Sequence, residues 1–251
     1  MTYCVGLMLD KGLVLMSDTR TNSGVDNISV FRKMFHWCVP GERIIAIMTA
    51  GNLATTQGVI SRLEERSKAP IDRQHGLLEL PTMFQVAVET GKLLRETVTN
   101  TQDENGAAGS GRFTASLILA GQIKGMEPRL FMIYPEGNFI EASFDTPFFQ
   151  IGETKYGRPI LIRGYDRKMS FEDAVKLMMV SMDSTLKANL SVGLPLDLLV
   201  VARDQYVPLH EQRIEQDDPY YVSISSSWSE ALRTAFHSLP DYSFAAKREQ
   251  T

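Results

Sequence analysis

At 251 residues with 43% hydrophobic content, the chain is long enough to bury a substantial core. Its formal net charge of −4 excludes a broad cationic field for nucleic acid or anionic membrane, and its two cysteines and four histidines show no CxxC or HExxH spacing for a metal. No apolar run approaches the ~20 residues of a membrane helix, and no basic segment with an apolar signal core opens the chain, so a cytoplasmic protein with Cys4 and Cys38 as buried, reduced thiols is expected.

The residue after Met1 already begins an extended run. Thr2–Leu9 and Leu13–Ser17 are predicted strands joined by a turn at Asp10-Lys11-Gly12, and Val30–Val39 and Arg43–Met48 repeat the arrangement across Pro40-Gly41-Glu42. Ile44 to Met48 is apolar without alternation, which predicts a strand covered on both faces. Asn52 is placed to cap a helix with Leu53, Ile60 and Leu63 on one face, and a second helix is predicted from Pro81 to Val98. A Gly- and Asn-rich loop is predicted over Thr101–Arg112. Its glycines resemble a phosphate loop only faintly, because the GxxxxGK[ST] spacing is missing and a strand follows instead of preceding.

Strands are then predicted at Thr114–Ala120, Arg129–Tyr134, Phe139–Ala142 and Phe148–Ile151, followed by a helix near Thr154–Ile162. Ser170, with Asp173 three residues on, caps a further helix whose stripe of Phe171, Val175, Met178, Met182 and Leu186 reads as core. Closing strands are predicted at Asp197–Ala202, Tyr206–Leu209 and Tyr220–Ile224. A C-terminal helix would turn Trp228, Leu232, Ala235, Phe236 and Leu239 inward. Hairpins, a helical pair, hairpins and helices do not alternate as parallel βαβ units do. The expected fold is α+β: one domain over 1–251, a four-layer αββα sandwich of two antiparallel sheets with a C-terminal helical extension.

Chemistry is expected at the chain start. A small second residue allows Met1 to be removed, leaving Thr2 with a free α-amine. Such an amine has an unperturbed pKa of about 7.7–8.0, well matched to activating the hydroxyl beside it. Asp18 ends the second strand, whose hairpin partner starts at Thr2. Lys33 lies within the apolar run Val30–Phe35, where it either faces solvent or turns inward to a carboxylate, Asp18 being the natural partner. Inside, the pair would lower the amine pKa. At Thr49-Ala50-Gly51-Asn52 a strand runs into a helix, and the Gly51 N–H is placed to meet developing negative charge.

The ordered set of Thr2, Gly6, Gly12 to Arg20 with its Asp18-Thr19-Arg20, Lys33 and Ala50-Gly51 resembles proteasome β subunits. The segment Gln150 to Pro159 and the long C-terminal segment are similar to the Anbu, or ancestral beta subunit, branch. The resemblance implies Thr2 as nucleophile and base, Asp18 orienting Lys33, Lys33 tuning Thr2, and Gly51 donating to the oxyanion. It further implies Arg20 bracing Asp18 or the adjoining loop, and Thr21, Phe31, Thr49 and Leu53 lining the pocket beside the scissile bond. Two departures stand out. Gly152-Glu153-Thr154 replaces the family's Gly-Ser-Gly loop, and Asn189-Leu190-Ser191-Val192-Gly193 replaces its Asp-x-x-Ser element, leaving Ser191 to supply the polar contact. The implied activity is a threonine peptidase, free of metal and cofactor, working on peptide or unfolded protein within a ring-like or helical homo-oligomer, fed by an unfoldase yet to be identified. The alternatives are an N-terminal-nucleophile amidohydrolase on a small amide and a catalytically weak scaffold subunit.

Overall fold

The computed structural model describes residues 2–22, 28–68, 76–105 and 113–244. In chain order, β1 (Tyr3–Leu9) and β2 (Gly12–Asp18) form the opening hairpin, and β3 (Arg20–Asn22) pairs with β4 (Ile28–Val30). Next come β5 (Met34–Val39), β6 (Arg43–Gly51), α1 (Leu53–Lys68), α2 (Met83–Asn105), β7 (Ala115–Ile123), β8 (Arg129–Ile133), β9 (Phe139–Glu141) and β10 (Phe148–Gly152). The chain continues through α3 (Arg158–Gly164), α4 (Phe171–Ala188), β11 (Leu196–Ala202), β12 (His210–Ile214) and α5 (Pro219–His237).

Two five-stranded antiparallel sheets result, ordered β10-β1-β2-β11-β12 and β5-β6-β7-β8-β9, beside the two-stranded β3-β4 pair. Their facing surfaces enclose one apolar layer, with Cys4, Leu13 and Leu15 of the first sheet against Ile44, Ala46 and Met48 of the second. Ile45 and Ile47 point the other way, onto Val59, Leu63 and Leu94 of α1 and α2. Val5, Leu7 and Met16 likewise pack onto Met178 and Met182 of α4. The absence of alternation in β1 and β6 follows from this arrangement, because both strand faces are dry. The four-layer αββα sandwich is therefore present, and the stripe predicted for α4 does face its core. Ser170 Oγ caps that helix by accepting the Asp173 N–H at 2.9 Å.

Several expectations are corrected. The long strand predicted over Val30–Val39 breaks at residues 31–33, which belong to no strand. Lys33 thus lies in a break, where its backbone carbonyl accepts the Thr49 N–H at 2.9 Å while its side chain turns inward. Cys38 is only half-buried, unlike Cys4. Helix α2 reaches Asn105, so the first part of the predicted 101–112 loop is helical; Gly106 to Arg112 lies outside the described residues. The strand predicted at Tyr206–Leu209 forms later, as β12, and Tyr220–Ile224 opens α5 instead of closing a sheet. Asp218 decides the latter by accepting the Tyr220 and Tyr221 N–H groups at 3.0 and 2.9 Å, with Pro219 starting the helix. On α5 only the first half packs on α4. Leu232 and Phe236, predicted to face inward, are 51% and 70% exposed, and Leu239 lies beyond the helix end at 63%.

The α4 assignment has a direct test. Met182 is fully buried between α4 and the first sheet. Met182→Ala should lower the unfolding free energy by about 2–5 kcal/mol in denaturant titrations. An unchanged midpoint would contradict the packing of α4 on that sheet.

Candidate active site

The opening hairpin brings the chain start and Asp18 together. Cys4 stands opposite Ser17, so the strand that begins beside Thr2 starts against the end of β2 at Asp18, and the Tyr3 N–H donates to Asp18 Oδ1 at 2.9 Å. Lys33 Nζ donates to the same oxygen at 2.8 Å and to the Arg20 carbonyl at 2.6 Å. Both partners are buried, Asp18 completely and Lys33 to within 5%. The Gly193 N–H reaches Asp18 Oδ2 at 3.3 Å. Burial raises the Asp18 carboxyl above its ordinary pKa, while the Lys33 ammonium and the Tyr3 and Gly193 N–H groups pull it down. A buried ammonium is tolerated here because its donors are met by a carboxylate and a carbonyl.

Arg20 holds the loop after α4 and leaves Asp18 to other donors. Its Nη1 donates to the Leu190 carbonyl at 3.1 Å, and its guanidinium lies so close to Gly193 that a Cβ there would overlap it. The polar element predicted at Ser191 sits differently from the expectation. The Ser191 N–H donates to Asn189 Oδ1 at 3.0 Å, and Ser191 is not part of the cavity wall around Thr2.

Thr2 is held by the turn after β10. Tyr3 stands opposite Gly152, and the Glu153 N–H donates to the Thr2 carbonyl at 2.7 Å. Gly152 has φ +85°, and an added Cβ would overlap that carbonyl oxygen, so this close approach requires glycine. Beneath, the Tyr3 hydroxyl bonds Ser181 Oγ at 2.7 Å and accepts from Gln150 Nε2 at 2.5 Å, and burial pushes its pKa up to about 12. Cys4, alongside, donates to the Thr49 carbonyl at 3.6 Å; burial raises its thiol pKa, making it a poor nucleophile.

A cavity of about 760 Å³ opens over Thr2. Thr2, Lys33, Gly51, Thr21, Thr49 and Leu53 all line it, together with Gly152 and the first turns of α1 at Ala54, Thr56 and Gln57. Gly51 has φ +122° and an added Cβ would overlap the Thr114 carbonyl, so the chain turns sharply before Asn52 Oδ1 caps α1 through the Thr55 N–H at 3.1 Å. Phe31 is absent from the wall; its N–H is tied to the Thr19 carbonyl at the strand break, 2.9 Å away. Leu53 lines the cavity, where the resemblance puts it, and is not in the core cluster with Ile60 and Leu63, whose helix face it was expected to share.

Sequence reasoning missed the contacts of Glu153, Asn189 and Gly193 and the α1 wall beyond Leu53. The wall was accessible in principle: a cap at Asn52 sets residues 53, 56 and 57 on one helix face. The loop contacts join segments more than thirty residues apart and carry no local signal. A larger cavity of about 900 Å³, mostly apolar, lies elsewhere, between α3, α4 and α5. Among the described residues no cluster of three His, Cys, Asp or Glu side chains is placed to hold a metal, and no helix is long and apolar enough to cross a membrane.

Residues 2–201 match the family model described as Proteasome subunit. The proteasome subunit beta of Methanopyrus kandleri is 23% identical over 223 residues, covering 86% of this chain and 94% of that protein. Among solved structures, Anbu (ancestral beta-subunit) from Yersinia bercovieri is 44% identical with a TM-score of 0.89, covering 96% of this chain and 99% of that one. An Anbu (Gly-1) mutant from Hyphomicrobium sp. strain MC1 is 46% identical with a TM-score of 0.90, covering 97% and 100%. The helical assembly of the Anbu complex from Pseudomonas aeruginosa is 41% identical with a TM-score of 0.89, covering 97% and 99%. With the family model spanning residues 2–201 and 41–46% identity to these near full-length structures, the chain belongs to the proteasome subunit family, in its Anbu branch.

Proposed function

We propose that the chain is a threonine peptidase of the N-terminal-nucleophile type, active once Met1 is removed. The observation that carries the reading is the buried Asp18–Lys33 pair, 2.8 Å apart, whose ammonium lines the same cavity as Thr2. A buried ion pair contributes little net stability compared with apolar packing. Placed under a hydroxyl in a cavity, it favours negative charge developing there.

The steps follow from the residues. The free amine of Thr2 takes the hydroxyl proton as the oxygen attacks a substrate carbonyl. The oxyanion that forms is met by the Gly51 N–H, next to the capped start of α1, where the helix dipole adds to the effect. The protonated amine then gives its proton to the departing peptide nitrogen, leaving a threonyl ester. Water, deprotonated by the same amine, attacks the ester and returns the hydroxyl to Thr2. Lys33, held by Asp18 and the Arg20 carbonyl, supplies positive charge at the cavity floor. Arg20 acts at one remove, through the loop it clamps. Self-assembly is part of the reading, supported by the helical assembly of the Pseudomonas aeruginosa relative. Peptide or unfolded protein is the substrate, and an unfoldase is its implied supplier.

Lys33 gives the decisive variants. Lys33→Ala should cut peptide turnover by at least about 100-fold, and it strands a buried carboxylate, at about 3–5 kcal/mol of stability. The paired variant Asp18→Asn, Lys33→Met removes both charges, so it should recover much of the stability and none of the turnover. Peptide hydrolysis measured beside a denaturant titration separates the two effects. Near-native turnover in the paired variant would remove Lys33 from the mechanism.

Specificity follows from the walls. Thr21, Thr49, Leu53, Ala54, Thr56 and Gln57 are uncharged, and Lys33, the one cation in the wall among the described residues, is committed to Asp18. A charged side chain entering this cavity would lose water without finding a counter-charge. Cleavage after small neutral or apolar residues should outrun cleavage after Asp, Glu, Lys or Arg by about tenfold or more in a peptide library. A preference for acidic or basic residues would show that the substrate side chain binds elsewhere.

A further inference from the structure

Two segments remote in sequence hold the site. The turn after β10 holds Thr2 through the Glu153 N–H, and the loop after α4 holds Asp18 through the Gly193 N–H and Arg20 through the Leu190 carbonyl. A side-chain pair joins them: Asn189 Nδ2 donates to Glu153 Oε2 at 3.1 Å. The polarity of the bond is set from the loop side. Asn189 Oδ1 accepts the Ser191 N–H at 3.0 Å, which leaves Nδ2 toward Glu153, where only an acceptor fits.

We infer that Glu153 and Asn189 are positioning residues for Thr2, a latch that ties the turn carrying Thr2 to the loop carrying the Asp18 contact. The separation of Thr2 from the Asp18–Lys33 pair is otherwise set by the Tyr3 N–H on Asp18 and the first rungs of β1, at a strand end whose first residue has no further rung to limit its freedom. Closing the circuit from Thr2 through Glu153, Asn189 and Gly193 to Asp18 removes that freedom. Displacements of about 1 Å at a reacting centre cost on the order of 100-fold in rate, so a single part-buried hydrogen bond has leverage here far beyond its own strength. The functional consequence rests on the peptidase reading above, whereas the latch itself is a statement about structure.

A donor–acceptor exchange tests it. Asn189→Asp sets oxygen against oxygen and opens the latch, while an oxygen remains for the Ser191 N–H. Adding Glu153→Gln supplies a donor from the other side, so the double variant rebuilds the bond with its polarity reversed. Two readouts are taken on the full chain: the rate of adduct formation with a peptide epoxyketone, by intact mass, and amide hydrogen exchange in peptides covering residues 2–9 and 148–157. Asn189→Asp should slow adduct formation roughly 10- to 100-fold and accelerate exchange in both segments, and the double variant should return both most of the way to native values. Native rates in Asn189→Asp, or a double variant no better than Asn189→Asp, would overturn the latch. Should Asn189→Asp fail to fold, Glu153→Ala opens the same contact from the other side, with native behaviour again overturning it. No adduct with the native chain would defeat the peptidase reading, and hydrogen exchange would still decide the latch.

Discussion

The arrangement turns on one constraint: a lysine ammonium, 5% exposed, must be neutralised where it lies. Uncompensated, a charge at that depth costs several kcal/mol or more. The chain answers with three elements. The end of β2 supplies Asp18, the start of β3 supplies the Arg20 carbonyl, and the break at residues 31–33 releases Lys33 from strand geometry so that it can reach both. Asp18 in turn needs its second oxygen met, and Gly193 does this from the loop after α4. A small cavity is thereby floored by a fixed positive charge, with Thr2 at its wall.

Glycines set how tightly the rest closes. Gly152 lets the turn after β10 lie against the Thr2 carbonyl, and Gly193 lets the loop after α4 lie against the Arg20 guanidinium. Gly51 turns the chain off β6 so that α1 begins at the cavity. At each of these points a side chain would collide with backbone or with a charged group that is already engaged. The close approach, not flexibility, is the reason for the residue type.

Much of this was legible in the sequence, for identifiable reasons. The doubly apolar runs of β1, β2 and β6 require sheets covered on both faces, which leads to four layers. Local chemistry placed the caps at Asn52 and Ser170 and the hairpin at Asp10-Lys11. Thr2, Asp18 and Gly51 were visible because the hairpin and the strand-to-helix turn are short-range features, whereas the residues alone left Lys33 open between solvent and Asp18, and the resemblance brought it into the set. The break before Lys33 was not visible: Val30 to Phe35 has strand composition throughout, and only the long-range pull of Asp18 and the Thr49 N–H to its carbonyl interrupt it. Tyr220–Ile224 misled in the same way, since its aromatic and β-branched residues favour a strand until Asp218 and Pro219 start a helix. Phe31 and Ser191 were placed by resemblance alone; neither lines the cavity, and their N–H groups bond the Thr19 carbonyl and Asn189 Oδ1. The Glu153–Asn189 contact spans 36 positions and has no periodic signature at all.

The proposed chemistry stands on Thr2 having a free amine, because an amide nitrogen at that position cannot take a proton near neutral pH. Two forms of the chain isolate this point: the native start, and one bearing a short uncleavable extension before Thr2. Each is incubated with a peptide epoxyketone, which needs both hydroxyl and amine to close its ring, and the intact masses are read. The native start should lose Met1 and gain the mass of the inhibitor, while the extended form, equally folded, should gain nothing. Equal reaction of both forms would show that Thr2 is not an N-terminal nucleophile.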